Sequence, residues 1–150
     1  MKTNPVVRAT ARLSLRADDA EGGSGGFEIS LFASDAVVSE AVTLETFQRL
    51  QGDGSSANAY AETANDRAEI HTVPAASAGA NIFGCVVTHL FDINSGKYKS
   101  LLSQVAADAD GSGTVALFAN NWRSQAPITS IKIWPDANNW LDESMFSLFV

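Results

Sequence analysis

Short runs of alternating apolar and polar residues, each closed by glycine, aspartate or asparagine, constrain this chain more than any other feature. Successive side chains of a β-strand point to opposite faces, so a period of two is what a half-buried strand imposes on its sequence. Val6 to Arg16 shows it most plainly. Ala9, Ala11, Leu13 and Leu15 fall on one face, and Arg8, Thr10, Arg12, Ser14 and Arg16 on the other. Phe27 to Ala33 repeats the pattern with Phe27, Ile29, Leu31 and Ala33 inward. Ile128 to Trp134 does so with Thr129, Ile131 and Ile133 against Ser130 and Lys132. The intervening ADDAEGGSGG, from Ala17 to Gly26, reads as a flexible acidic tip whose glycines permit sharp reversal. The first two strands are therefore expected to form a hairpin.

The other segments follow the same logic. Ile82 to Phe91, IFGCVVTHLF, is apolar on both faces: Phe83, Cys85, Val87 and Phe91 share one, and Ile82, Val86 and Leu90 the other. That predicts a central strand covered on each side, or covered on one side by a neighbouring subunit. Arg67–Val73, Lys97–Val105 and Thr114–Ala119 read as strands, with turns at Pro74–Gly79, Asp92–Gly96 and Ala106–Gly113. Ser34 to Gln51 is ambiguous. Val37, Val38 and Val42 favour a strand near Val37–Leu44, while Leu44, Phe47 and Leu50 recur at helical spacing and allow a helical turn after it. Gly52 to Asp66 reads as a long polar loop with Tyr60 at its centre, a candidate for reading a partner. Pro135, Asp136, Asn138 and Asn139 supply turn chemistry and place Trp140 in a loop. Met145 to Val150 reads as a final strand buried inside a sheet.

About eight short strands with Gly- and Asp-rich turns predict an all-β fold, a jelly-roll-like antiparallel β-sandwich. The 150 residues suit a single domain over 6–150 behind a short N-terminal arm at 1–5. A chain of this length buries roughly 70% of its unfolded surface and needs no metal or disulfide to fold.

Catalytic grammar is missing. Asp108-Ala109-Asp110-Gly111-Ser112-Gly113 resembles the start of a calcium loop, but Ala119 stands where the closing Glu belongs, and Asp-Gly is also a common hairpin turn. His71 and His89 lack zinc-ligand spacing. Cys85 and His89 lie about 13 Å apart along one strand, too far for a nucleophile and its base. There is no G-x-S-x-G elbow, and GGSGG sits between strands, not before a helix. The expectation is a protein that is not an enzyme and has no cofactor and no metal. The lone Cys85 reads as a small buried hydrophobe, made in a reducing compartment.

A net charge of −7 argues against nucleic-acid binding and against docking on an anionic membrane. No run approaches the roughly 18 apolar residues of a membrane span, and Asn4, Pro5, Arg8 and Arg12 interrupt any signal-like start. Two features suit a partner. Arg8, Arg12 and Arg16 form a basic ribbon, either a solvated strand face or a contact for an acidic surface. Trp122, Trp134 and Trp140 anchor the core or a subunit interface, or stack on sugar rings.

The tail carries a resemblance. Trp122-Arg123-Ser124, then Ile128-Thr129-Ser130-Ile131, a polar loop with an aromatic, and Ser144-Met145-Phe146-Ser147-Leu148 at the end resemble a β-sandwich domain of bacteriophage virion proteins, found in tail fibres, capsid fibres and decoration proteins. Lys97-Tyr98-Lys99-Ser100 and Leu13-Ser14-Leu15-Arg16 are similar to further strands of that pattern. The family's last strand usually runs Gly-Ser-x-Phe-x-Leu-Tyr-Gly; here Glu143 and Phe149-Val150 replace the glycines and the tyrosine. The resemblance implies a virion structural protein, a capsid decoration or fibre-associated protein on the particle surface, made in the host cytoplasm. Its partners would be other capsid or fibre subunits and copies of itself, a trimer among the forms expected. The alternative is a tail-fibre tip that binds a host glycan.

Overall fold

The computed structural model describes residues 9–15, 17–18, 25–32, 44–65, 68–74, 82–108, 113–128, 130–135, 139–140 and 144–149. Every described regular element is a strand, and every pairing among them is antiparallel. In chain order they are β1 (Ala9–Leu15), β2 (Ala17–Asp18), β3 (Gly25–Phe32), β4 (Leu44–Gly52), β5 (Ala57–Asn65), β6 (Ala68–Val73), β7 (Gly84–Phe91), β8 (Lys99–Asp108), β9 (Gly113–Trp122), β10 (Ser130–Pro135), β11 (Asn139–Trp140) and β12 (Met145–Phe149). A seven-stranded sheet runs in the order β12-β1-β7-β8-β9-β4-β5, a three-stranded sheet in the order β10-β3-β6, and β11 pairs with β2. The smaller sheet lies over one face of the larger through β6, which crosses β7, β8 and β9. The fold is all-β and sandwich-like, as the alternating runs predict.

The core fills the space between the two sheets. Val86 and Leu90 of β7, Leu101 and Val105 of β8, and Phe118 of β9 point into it; Ile70 of β6 closes it from the other side. Phe47 stacks on Phe118 with ring centroids 6.0 Å apart. Full burial of a side chain such as Phe118 contributes about 1.5–3 kcal/mol. The polar atoms of this interior are partly paired. Thr88 and Ser103 share a hydrogen bond of 2.8 Å inside the large sheet's inner face, and the Asn120 amide donates to the Glu69 carbonyl across the sheets at 2.9 Å. Lys99 is buried and gives its ammonium to the carbonyls of Ser95 and Ser124 at 3.1 and 3.3 Å, and to that of Lys97. Burial pushes the Lys99 pKa down, and the Asp92 charge partly restores it.

Several expectations are corrected. The strands at Val6–Arg16 and Phe27–Ala33 do not form a hairpin: β1 pairs with β7 and β12, and β3 with β10 and β6. Ala17-Asp18 and Gly25-Gly26, read as loop, are strand. Leu44, Phe47 and Leu50 are not helical. In β4, Phe47 points into the core while Leu50 is 57% exposed on the opposite face. Large apolar residues on both faces of a strand mimic the spacing of a helix. The long polar loop at Gly52–Asp66 is instead a four-residue turn and the edge strand β5. In that turn Asp53 accepts the Ser55 and Ser56 backbone N–H groups at 2.9 and 2.7 Å, and Gly54 takes a φ of +88°. These N–H groups, with the two serine hydroxyls, hold the Asp53 carboxyl well below the usual carboxylate range.

Two burial expectations also fail. Cys85 is exposed, and the final strand β12 is exposed along its whole length, paired to β1 alone. Among the described residues it is an edge strand, with backbone pairing on one side and its apolar side chains about half exposed or more. The expected strand at Val37–Leu44, apart from Leu44, and the expected turns at Pro74–Gly79 and around Asp110 lie largely or wholly outside the described residues.

Candidate functional site

The candidate site is the face of the seven-stranded sheet turned away from the core. Register aligns its residues in rows across the strands. Val87, Gln104, Leu117, Leu50 and Ala59 make one row from β7 to β5. His89, Leu102, Ala119, Gln48 and Ala61 make the next, and Cys85, Ala106, Val115, Gly52 and Ala57 flank the first on its other side. Alternation puts all of these on the face opposite Val86, Val105 and Phe118. Their exposure follows: Val115 is 68% exposed and Leu50 57%, whereas Val86, Val105, Ala116 and Phe118 on the inward side are buried. None of the three rows holds a Lys, Arg, Asp or Glu from β7 to β5, although the chain carries 27 such residues, 10 Lys and Arg and 17 Asp and Glu. A groove of about 770 Å³ runs beside Leu50, Val115 and Leu117, floored by Gly52, Ala57 and Ala59.

The sequence offered one signal for this face. Both sides of Ile82–Phe91 are apolar, which requires cover on two sides. The fold covers Val86, Thr88 and Leu90 and leaves Cys85 exposed and Val87, His89 and Phe91 half-buried. That is the situation of a strand covered on one side within its own chain. Leu50, Val115, Leu117 and Leu102 were not singled out from the sequence, because only pairing register shows that they are neighbours.

The residues that were singled out scatter. Arg8 and Arg16 lie outside the described residues. Arg12 sits in β1 opposite Val87 of β7 and Ser147 of β12, in line with the first row. Trp122 is a core residue, 7% exposed, and offers no platform to a sugar. Trp134 stands in β10 opposite Glu28, and Trp140 lies in the strand β11, not in a loop, opposite Ala17. Tyr60 stands on β5, 47% exposed on the other side of the sheet from the rows above. There it meets the Phe47 ring at 6.0 Å, and the Arg49 guanidinium lies 5.5 Å from its centroid. Arg49 also reaches Glu69 at 3.3 Å. Tyr60 thus takes part in a structural cluster linking β5, β4 and β6.

At the opposite edge, the register of β12 with β1, and of β1 with β7, places Met145 and Phe149 on this face and Phe146 and Leu148 on the other. Met145, Phe146, Leu148 and Phe149 are each between 46% and 66% exposed, with no charge among them. Among the described residues no three His, Cys, Asp or Glu side chains gather to hold a metal ion, and no helix is long and apolar enough to cross a membrane. Asp108 ends β8 opposite Gly113, where a Cβ would meet the Ala107 carbonyl oxygen at 2.8 Å; that close approach requires glycine at the hairpin. No protein-family model, no curated protein and no solved structure matches the chain.

Proposed function

We propose that this chain is a non-enzymatic structural subunit of a bacteriophage virion, a capsid decoration or fibre-associated protein that acts by burying the outer face of its large sheet against other subunits. The observation that carries the reading is that face: three rows without Lys, Arg, Asp or Glu from β7 to β5, exposed at Leu50 and Val115. Contiguous exposed apolar surface of this kind marks interaction sites. The exposed apolar strand β12 supports the same reading, since it stands at the edge of the sheet among the described residues and a sheet edge is a template for a further strand. The virion assignment rests on the resemblance of the tail, and β12 is the strand that carries its last motif.

The test is immunogold electron microscopy of phage particles from the source with antibody to this chain. Label spread over the head supports decoration, and label along a fibre supports the fibre-associated form. Unlabelled particles overturn the virion assignment.

A further inference from the structure

We propose that the partner covering the outer face of the seven-stranded sheet is a second copy of this chain, packed face to face about a two-fold axis. The inference deepens the structural-subunit reading and rests on it. Three observations carry it.

The first is charge. The chain carries a net charge of −7, so two copies repel over most of their surface. The rows from β7 to β5 are where that repulsion is absent. A basic partner would be met by acidic residues on this face, and none stands in those rows.

The second is shape. Leu50, Leu117 and Val115 form a ridge, and beside it Gly52, Ala57 and Ala59 floor the groove of about 770 Å³. A two-fold contact is isologous: the same patch meets itself, and each feature must find its complement within the patch. Ridge and trough side by side satisfy that condition, because the axis sets each copy's ridge in the other's trough. Two sheets packed this way stand about 10 Å apart with interdigitating side chains.

The third is area. Five strands spaced about 4.8 Å apart and about 27 Å long present roughly 500 Å² per copy, and the shorter β1 and β12, where Arg12 stands at the margin, add roughly 200 Å². A stable interface buries about 800 Å² per partner.

The test is sedimentation velocity of the isolated full chain across a wide concentration range, with Leu50→Lys and Val115→Lys as separate variants. Both residues point away from the core, and far-UV circular dichroism checks that each variant keeps its strands. The expected result is a concentration-dependent dimer whose dissociation constant rises at least tenfold in each variant. A monomer at all concentrations overturns the proposal. So does association that survives both substitutions, or that is abolished instead by Leu148→Lys at the β12 edge. Failure here leaves the virion reading standing where particles are labelled, and unlabelled particles with an intact dimer do the reverse.

Discussion

Asn120 of β9 donates its side-chain amide to the backbone carbonyl of Glu69 in β6 at 2.9 Å, so a buried polar contact ties the seven-stranded sheet to the three-stranded one. Asn120→Leu removes the donor and with it this contact between the sheets, at a cost of about 1–3 kcal/mol. Asn120→Asp costs more at neutral pH, because it buries a charge and faces one acceptor with another. Urea unfolding at pH 7 and pH 4.5 checks this: the difference between the two variants narrows as the new carboxyl takes up a proton and regains a donor.

Thr88 and Ser103 form a second buried pair, 2.8 Å apart. Thr88→Val leaves the serine hydroxyl without this partner and costs about 1–3 kcal/mol. The double variant Thr88→Val with Ser103→Ala loses less than the sum of the two single changes, since no polar group is then stranded. A double-mutant cycle by chemical denaturation measures the difference.

Phe118 stacks on Phe47 with no exposed surface. Phe118→Ala opens a cavity at the centre of the core and costs about 3–5 kcal/mol. The same truncation at Leu50, on the outer face, costs the isolated chain far less. Comparing the two denaturation midpoints separates the inner face from the outer.

These contrasts mark what the sequence made legible. The all-β class and the inward position of Ile70 follow from alternation, whereas Val86 and Phe118 stand in strands with apolar residues on both faces, where alternation does not choose the inward side. Pairing could not be read: β1 meets β7 and β12 far along the chain, while Phe27–Phe32 meets β10 and β6, and no local pattern encodes such partners. β5 was missed because its alternation rests on alanine alone, with Ala57, Ala59 and Ala61 against Asn58, Tyr60 and Glu62, and so exposed a strand makes no strong apolar demand on its residues. The apolar Met145–Phe149 misled in the opposite direction, since composition alone does not distinguish cover by the same chain from cover by another.

Two titrating groups give pH responses of the same sign in different windows, one acidic and one alkaline. Asp53 has its pKa depressed by the Ser55 and Ser56 N–H groups, and then by their hydroxyls. Its contribution is therefore present above the ordinary value of 3.8 and is lost as pH falls through the lower folded value. Asp53→Ala lowers the melting temperature at pH 7 and flattens the decline below about pH 4. Lys99 has its folded pKa lowered by burial from 10.5, so the unfolded chain binds more protons as pH rises toward that value. Stability from this group accordingly increases with alkalinity up to 10.5, and Lys99→Met removes the increase. Denaturation midpoints against pH, variant minus parent, check both signs.

The central claim is that the outer face of the large sheet is buried on assembly, and Cys85 lies on that face with its thiol exposed in the single chain. Alkylation of Cys85, followed by mass spectrometry, compares the dilute isolated chain with the chain in purified particles. The account predicts rapid modification of the dilute chain and strong protection in the particle. Equal reactivity in the two states would contradict it.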